Sequence, residues 1–525
     1  MKKIKRLGMP FQAGIIDVGA HSVRLDIFEI SKKNGIVLLE SLSRTVNLGF
    51  DVFRHGQVSP ETLSRLTSML CDFSNKLAEY RITFCRVVAT SAIREAFNRD
   101  LVINRIRNDA GLELEILETP EEIRITYLAM REALRRRFDF GTLSGIGLMV
   151  GTGSLQIFYF AHGLMRFCEE IPLGTTRLFD AFGRSAVSIE QVIETLRSQD
   201  IGQRLAECVG RQAEEPVALI ALGASVRVLA GIIRGAVEEF DENECVSIDP
   251  DAVAPATRRL IETTPDTLSA EFKLPEEVAS SVRACAGIIS YFLDEFHFER
   301  FLCLGTTTRT ALISDLVRRS VEANAPDPFY NDLLGVCDAI GRKYGFDPVH
   351  ASQVAALCLK FLEKLKRTFD FVPNAPLLLE AAARLHDIGR FVDTRQHHKH
   401  TYYLVSNMQL PGISTAEQRV VATICRYHRK ALPRESHPEY TALSAEDKVT
   451  TLKLAAILRV ADALDCSRRK RFDKMKLVLR GHTMTVVVPE SGDFRSERLS
   501  LEWKGGLFNQ VFGLDLKIEE APLSI

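Results

Sequence analysis

The chain has 525 residues, 46% hydrophobic and 26% charged, with 67 Lys and Arg against 68 Asp and Glu for a net charge of −1. This composition excludes wholesale disorder and, at about 100–200 residues per domain, predicts three to five folded domains. The balanced charge excludes a globally basic binder of nucleic-acid duplexes, so any polyanionic partner must be held by a local basic site.

Residues 13–16 form a short apolar run, and Ser22–Ile30 and Gly35–Val46 alternate like strands. A polar tip, Asp17-Val-Gly-Ala-His-Ser22, joins the first two. Residues 59–80 predict an amphipathic helix, with Ser59 as cap, Pro60 at the first helical position and Glu61 in the first turn. Arg86–Thr90 reads as a strand, and Ala92–Ala96 and Arg99–Ala110 as helices. The hairpin pattern then recurs. Gly145–Val150 and Leu155–Phe160 are apolar, with Gly151-Thr-Gly-Ser154 between them. Two such hairpins predict a duplicated α/β unit whose turns face each other across a cleft. A third glycine turn, Gly223-Ala-Ser225, follows the strand-like Ala218–Leu222, and a fourth lies at Leu304–Thr308.

From about 325, past Pro326 and Pro328, the pattern becomes helical. The predicted helices are His350–Lys366, Ala375–His386, Thr401–Met408, Thr415–Tyr427 and Leu452–Leu464. Strands return at Met475–Leu479, Thr483–Val488, Leu499–Trp503 and Leu514–Ile518. The expected division is two α/β lobes at 1–130 and 131–320, a helical domain at 325–470 and a β-rich module at 471–525. Eleven cysteines without a CxxC pair predict reduced thiols and a cytoplasmic protein. The basic start lacks a signal-peptide core, and no apolar stretch reaches 18 residues, so no membrane span is expected.

Small residues in a tight turn expose successive backbone N–H groups that bind phosphate oxygens, and glycine permits close approach. This makes Gly19, His21 and Ser22 of the first turn, and Gly151, Thr152, Gly153 and Ser154 of the second, candidate phosphate binders. Asp17, at the entrance of the first turn, is placed to hold phosphate-bound magnesium. In Val87–Asn98 a strand ends at Thr90-Ser91 and a helix opens with Arg94 in its first turn. Hydroxyls, a helix N-terminus and an arginine together make an anion site. Glu121 and Glu122 follow Pro120 at the start of another helix, where acidic residues are also ordinary helix chemistry.

Taken in order, DVGAHSVRL (17–25), VVATSAIREAFN (87–98), EEIRITYL (121–128), VGTGSLQ (150–156), PLGTTRLF (172–179) and LGTTTRTALI (304–313) resemble the Ppx/GppA family of exopolyphosphatases and guanosine pentaphosphate phosphohydrolases. The resemblance implies the actin-like (ASKHA, ribonuclease-H-like) two-lobed fold. It implies inorganic polyphosphate or a guanosine penta- or tetraphosphate as ligand, a magnesium ion in the cleft and a homodimer. It makes Arg94 the phosphate-binding arginine and Glu122 the catalytic base, with Glu121 as the register alternative. The family's second loop reads Asp-Ile-Gly-Gly-Gly-Ser-Thr-Glu, against Met149-Val-Gly-Thr-Gly-Ser-Leu-Gln156 here. Two carboxylates are thus replaced, by Met149 and Gln156.

The helical domain resembles an HD-type phosphohydrolase, which uses an early histidine, a His-Asp pair, further histidines and a late aspartate. The matching residues are His350, His386, Asp387, His400, His428 and Asp462. Imidazole and carboxylate suit a divalent ion such as manganese or iron. Arg135–Arg137 and Arg468–Arg471 are candidate walls of a polyphosphate channel or solvated helix faces. Three readings stay open. One is hydrolysis of a phosphoanhydride at the cleft. The second is metal-dependent hydrolysis in the helical domain, with the lobes as a polyphosphate or (p)ppGpp sensor. The third is a sensor without catalysis.

Overall fold

The computed structural model describes residues 9–182, 189–212, 215–235, 244–321, 327–429, 431–489 and 492–520. The basic segment 1–8 and Pro326 lie outside them. The chain divides into two compact units, 1–329 and 330–525.

The first unit is built on two sheets. β1 (Phe11–Val18), β2 (Ser22–Ser31), β3 (Gly35–Thr45), β4 (Cys85–Ala89) and β5 (Leu114–Ile116) pair in the order β3-β2-β1-β4-β5. β6 (Gly145–Val150), β7 (Leu155–Ala161), β8 (Leu164–Ile171), β9 (Ala218–Leu222), β10 (Cys245–Ile248) and β11 (Arg300–Leu304) pair in the order β10-β11-β9-β6-β7-β8. Both sheets share one plan. The first strand forms an antiparallel hairpin with the second and lies parallel to a later strand, β1 to β4 and β6 to β9. The same bond closes both hairpins: Gly19 N–H donates to the Ser22 carbonyl and Gly151 N–H to the Ser154 carbonyl, each at 3.0 Å. The duplication predicted from the two glycine tips is therefore present in the backbone.

β7 is buried along its whole length, which is why it reads as an apolar run rather than an alternating one. The helix Glu276–Glu295 buries Cys285, Ile288, Ile289 and Phe292 in the core of the second sheet. Each such side chain contributes on the order of 1.5–3 kcal/mol. The helix Thr119–Arg135 is pinned to the helix Thr308–Val321 by ions. Arg124 binds Glu121 at 2.7 Å and Asp315 at 2.8 Å, and Arg318 and Arg319 also reach Asp315.

The second unit opens with helices Tyr330–Lys343, Pro348–Leu365, Ala375–Leu385, His397–Asn407, Thr415–Arg426 and Ala445–Leu464. The last is buried on every side over Leu454–Leu458, and that stretch is apolar throughout. β12 (Lys476–Arg480), β13 (Thr483–Val488) and β14 (Asp515–Glu520) follow, in the order β12-β13-β14. Leu499–Trp503, expected as a strand, lies instead in the helix Arg495–Lys504. The reasons are physical. Glu497 and Leu501, four residues apart, are its buried positions, which is a helical rather than a strand period. β13 and β14 are parallel, and a parallel pair needs a crossover, which this helix and Gly506–Phe512 supply.

Candidate functional site

In the first unit the two glycine turns line one cavity of about 150 Å³. Its wall carries Asp17, Gly19, His21, Ser22, Thr90, Ser91, Glu122, Gly151, Thr152, Gly153 and Ser154, all of which the sequence had singled out. Arg94 joins them through Glu122, its Nη1 donating to Glu122 Oε2 at 2.7 Å. Glu121 faces elsewhere, accepting from Arg124 and Arg319 in the ionic cluster.

Local chemistry places each part. Asp17 is the last residue but one of β1, opposite Arg24 of β2. Arg94 sits on the short helix Ser91–Glu95, which starts where β4 ends. The N–H groups of Thr175 and Thr176 donate to the carbonyls of Gly151 and Thr152, each at 3.0 Å. Those bonds satisfy the loop's acceptors from one side. Arg177 donates to the Gly153 carbonyl and pairs with Glu95, both within 2.9 Å. The loop must be glycine at 153, because a Cβ there would stand 2.1 Å from Ser91 Oγ.

The electrostatics are mixed. Burial, and then the neighbouring Glu170 carboxylate, push Glu122 up to about 7 against the pull of Arg94. Burial also raises Asp17, with Arg309 and Arg24 opposing. Arg94 is raised despite its burial because Glu122 and Glu170 both hold its proton.

Four charged residues at the site were not among the candidates from the sequence, although Arg24 and Arg309 stand inside motifs that resemble the family's. Arg24, Arg227 and Arg309 line the cavity and supply its positive charge. Arg227 follows the third glycine turn and Arg309 the fourth, and for Arg309 the Gly-Thr-Thr signature shared by 174–176 and 305–307 was the available signal. The fourth, Glu170, accepts from Arg94 Nη2 at 2.7 Å.

In the second unit five helix ends meet. His386 and His428 follow their helices and donate through Nδ1 to the carbonyls of Ala383 and Cys425, each at 2.7 Å. His397 Nδ1 does the same to Thr394, at 3.1 Å, and His350 Nδ1 faces Asp465 at 2.7 Å. Each imidazole caps an acceptor with one nitrogen and turns the other inward. The inward nitrogens surround two carboxylates. His350 and His386 Nε2 lie 3.5 and 3.9 Å from Asp462 Oδ1. His397, His386 and His428 Nε2 lie 3.2, 3.9 and 3.9 Å from Asp387 Oδ1. The outer oxygen of Asp387 faces Arg390 and Arg468, and that of Asp462 pairs with Lys504. The potential ligand groups within this cluster are His350, His386 and Asp387, and Asp387, His397 and His428. Neither His400 nor Asp462 is among them, against expectation, although Asp462 stands beside the first group through His350 and His386. The helix begins at His397 rather than Thr401, so His397 is the buried member of its first turn.

A model of the Ppx/GppA phosphatase family matches residues 27–319, more than half of the chain, and one of Ppx/GppA phosphatase domain III matches 336–495. The chain belongs to the Ppx/GppA phosphatase family. Among relatives, it is 22% identical over 470 residues, 86% of each chain, to the guanosine-5'-triphosphate,3'-diphosphate pyrophosphatase of Photobacterium profundum. An exopolyphosphatase structure from Cytophaga hutchinsonii superposes with a TM-score of 0.52 at 18% identity, covering 58% of this chain and 98% of that one. The Aquifex aeolicus Ppx/GppA family member gives 0.49 at 20%, covering 60% and 99%. The Cytophaga likeness shows the fold alone. Against the Ppx/GppA pattern of the second loop, Met149 and Gln156 face each other across β6 and β7, and Glu170 faces Gln156 from β8.

Proposed function

We propose that the protein is a phosphohydrolase of the Ppx/GppA type that releases the terminal phosphate of inorganic polyphosphate or of guanosine pentaphosphate at the cleft of its first unit. The observation that carries this is the Glu122–Arg94 pair on the wall shared by the two glycine turns. The turn amides of Ala20–Ser22 and Thr152–Ser154, with Arg94, bind the equatorial oxygens of the terminal phosphate, while Gly19 and Gly151 close the turns and let the backbone approach it. Glu122 accepts a proton from water as the water oxygen bonds to phosphorus and the anhydride P–O bond opposite breaks. A carboxyl that titrates near 7 suits a base working near neutral pH. The donor set fits magnesium, because Asp17 offers a buried carboxylate beside Glu122. Magnesium there would neutralise phosphate charge, and Asp17 would hold it.

The reading takes the lobes as 1–130 and 131–320, the helical domain as 325–470 and the tail as 471–525, in a cytoplasmic homodimer. Among the described residues no helix is long and apolar enough to cross a membrane. Phosphate release from polyphosphate and from pppGpp, by wild type and Glu122→Gln, tests the activity and ranks the substrates. Equal rates for the two proteins would sink the cleft as the active site.

A second reading has its own observation. His386 Nε2 is buried without a hydrogen-bond partner, and His350, His397 and His428 turn their Nε2 atoms to the same two carboxylates, those of His397 and His428 lying 3.1 Å from each other. Such a set is costly as an empty polar core and suits a divalent ion such as manganese or iron. His350, His386, Asp387 and Asp462 would hold one ion and Asp387, His397 and His428 a second. Bound metal supplies a Lewis acid and an acidified water. In this reading the second unit hydrolyses phosphate esters or anhydrides, and the cleft senses polyphosphate or (p)ppGpp. Metal content after purification without chelator, together with phosphate release by His386→Ala/Asp387→Ala, tests it. A metal-free protein from manganese- and iron-supplied cells would refute it.

A further inference from the structure

Strand register places a carboxylate where the second phosphate loop lacks one. Met149 of β6, Gln156 of β7 and Glu170 of β8 are direct cross-strand partners in a row. Directly opposed residues share a face of the sheet. The first two are uncharged, and Glu170 is the only acid in the row.

Its contacts are specific. One oxygen accepts from Arg94 Nη2 at 2.7 Å and from Thr119 Oγ1 at 2.9 Å. The other accepts from Gln156 Nε2 at 3.1 Å. The side chain is only 10% exposed, and a charge so buried persists only when paired and hydrogen-bonded. Arg94 is thereby gripped at both ends, by Glu122 through Nη1 and by Glu170 through Nη2. The bond to Glu170 also fixes the Gln156 amide, since only its NH₂ can donate to a carboxylate. That leaves Gln156 Oε1, buried on a residue of the cavity wall, without a hydrogen-bond partner. A buried bare acceptor on a wall that faces a phosphate site is matched by a donor from the ligand or its water.

We infer that Gln156 and Glu170 act together as the missing element of the second loop: Glu170 positions Arg94 and the Gln156 amide, and Gln156 Oε1 accepts a hydrogen bond from the attacking water. This deepens the cleft reading and rests on it. Gln156 moves no proton, which goes to Glu122. Glu170 touches neither substrate nor water and is a positioning residue.

The experiment measures kcat and KM for polyphosphate and pppGpp with the full-length protein. The variants are Glu170→Gln, Gln156→Glu, Gln156→Met and the exchanged double Gln156→Glu/Glu170→Gln. Each single variant should lose at least about tenfold in kcat, with KM within about threefold. The double variant, which returns one carboxylate and one amide to the pair, should recover to within about threefold of wild type. A structural role alone would not produce that recovery. Wild-type kcat in Glu170→Gln, or in Gln156→Met should Glu170→Gln not fold, would overturn the inference. So would a double variant no better than its worse parent while remaining folded. Failure of the underlying reading looks different, because Glu122→Gln would then also be as active as wild type.

Discussion

Replacing Glu122 by glutamine should make the protein inactive and, at alkaline pH, more resistant to unfolding relative to wild type than it is at acid pH. Burial and Glu170 push this carboxyl from its ordinary 4.5 up to about 7. The folded state therefore holds the proton more tightly than the unfolded chain does. Stability from this group is present below about 4.5, falls as pH rises towards about 7, and is gone above it. At about 1.4 kcal/mol per pH unit, the ionised carboxylate costs the folded state about 3 kcal/mol at pH 8, of which some 2–3 kcal/mol develops between pH 5 and 8. Glutamine does not titrate and can still accept from Arg94. The test is urea unfolding of both proteins at pH 5 and pH 8 in EDTA, followed by circular dichroism of the full chain. The wild-type-minus-variant difference should move by about 2–3 kcal/mol against wild type. Phosphate release by the variant should fall by at least about 10². A difference that stays constant between the two pH values would refute the electrostatic account, whatever happens to activity.

Other consequences are as direct. Asp315→Ala removes the shared acceptor of Arg124, Arg318 and Arg319, 3% exposed at its side chain, and should cost about 3–5 kcal/mol in denaturant unfolding. Although burial works the other way, Arg124 holds the Asp315 carboxyl well below the usual carboxylate range, so this stability should persist above pH 4 and fade on acidification. Gly174→Ala would put a Cβ 2.2 Å from the Thr152 carbonyl oxygen, so phosphate release should collapse alongside a loss of about 1–3 kcal/mol in stability. If the histidine cluster holds metal, His397→Ala should lower the bound-metal stoichiometry while His400→Ala leaves it unchanged, read by plasma emission spectrometry.

Much of the fold was written in local punctuation. The Asp17–Ser22 and Gly151–Ser154 tips are glycine turns between apolar runs, and a hairpin is the only short way to close such a pair. Glu122 and Arg94 were legible through the resemblance of EEIRITYL and VVATSAIREAFN to the family's motifs, since acidic residues just after Pro120 are otherwise ordinary helix chemistry. Glu170 was not. β8 reads Leu-Met-Arg-Phe-Cys-Glu-Glu-Ile, with no clean period, and its carboxylate acquires meaning only through register with Gln156. His400 was singled out in place of His397 because several histidines crowd one segment and the helix start has no side-chain cap to mark it. Leu499–Trp503 failed for the opposite reason. Leu-Ser-Leu-Glu-Trp alternates like a strand, but the buried positions, Glu497 and Leu501, are four residues apart.

The helix that replaced this strand has an optical consequence. Trp503 is the sole tryptophan of the chain and is 74% exposed. Its neighbour Lys504 gives its ammonium to Asp462 and its carbonyl to Arg459, the latter at 2.9 Å. Any cation that competes for Asp462 must therefore unseat the residue next to the only indole. Binding of a cation at Asp462 should thus shift the intrinsic fluorescence of the unlabelled protein, with no second tryptophan to blur the signal.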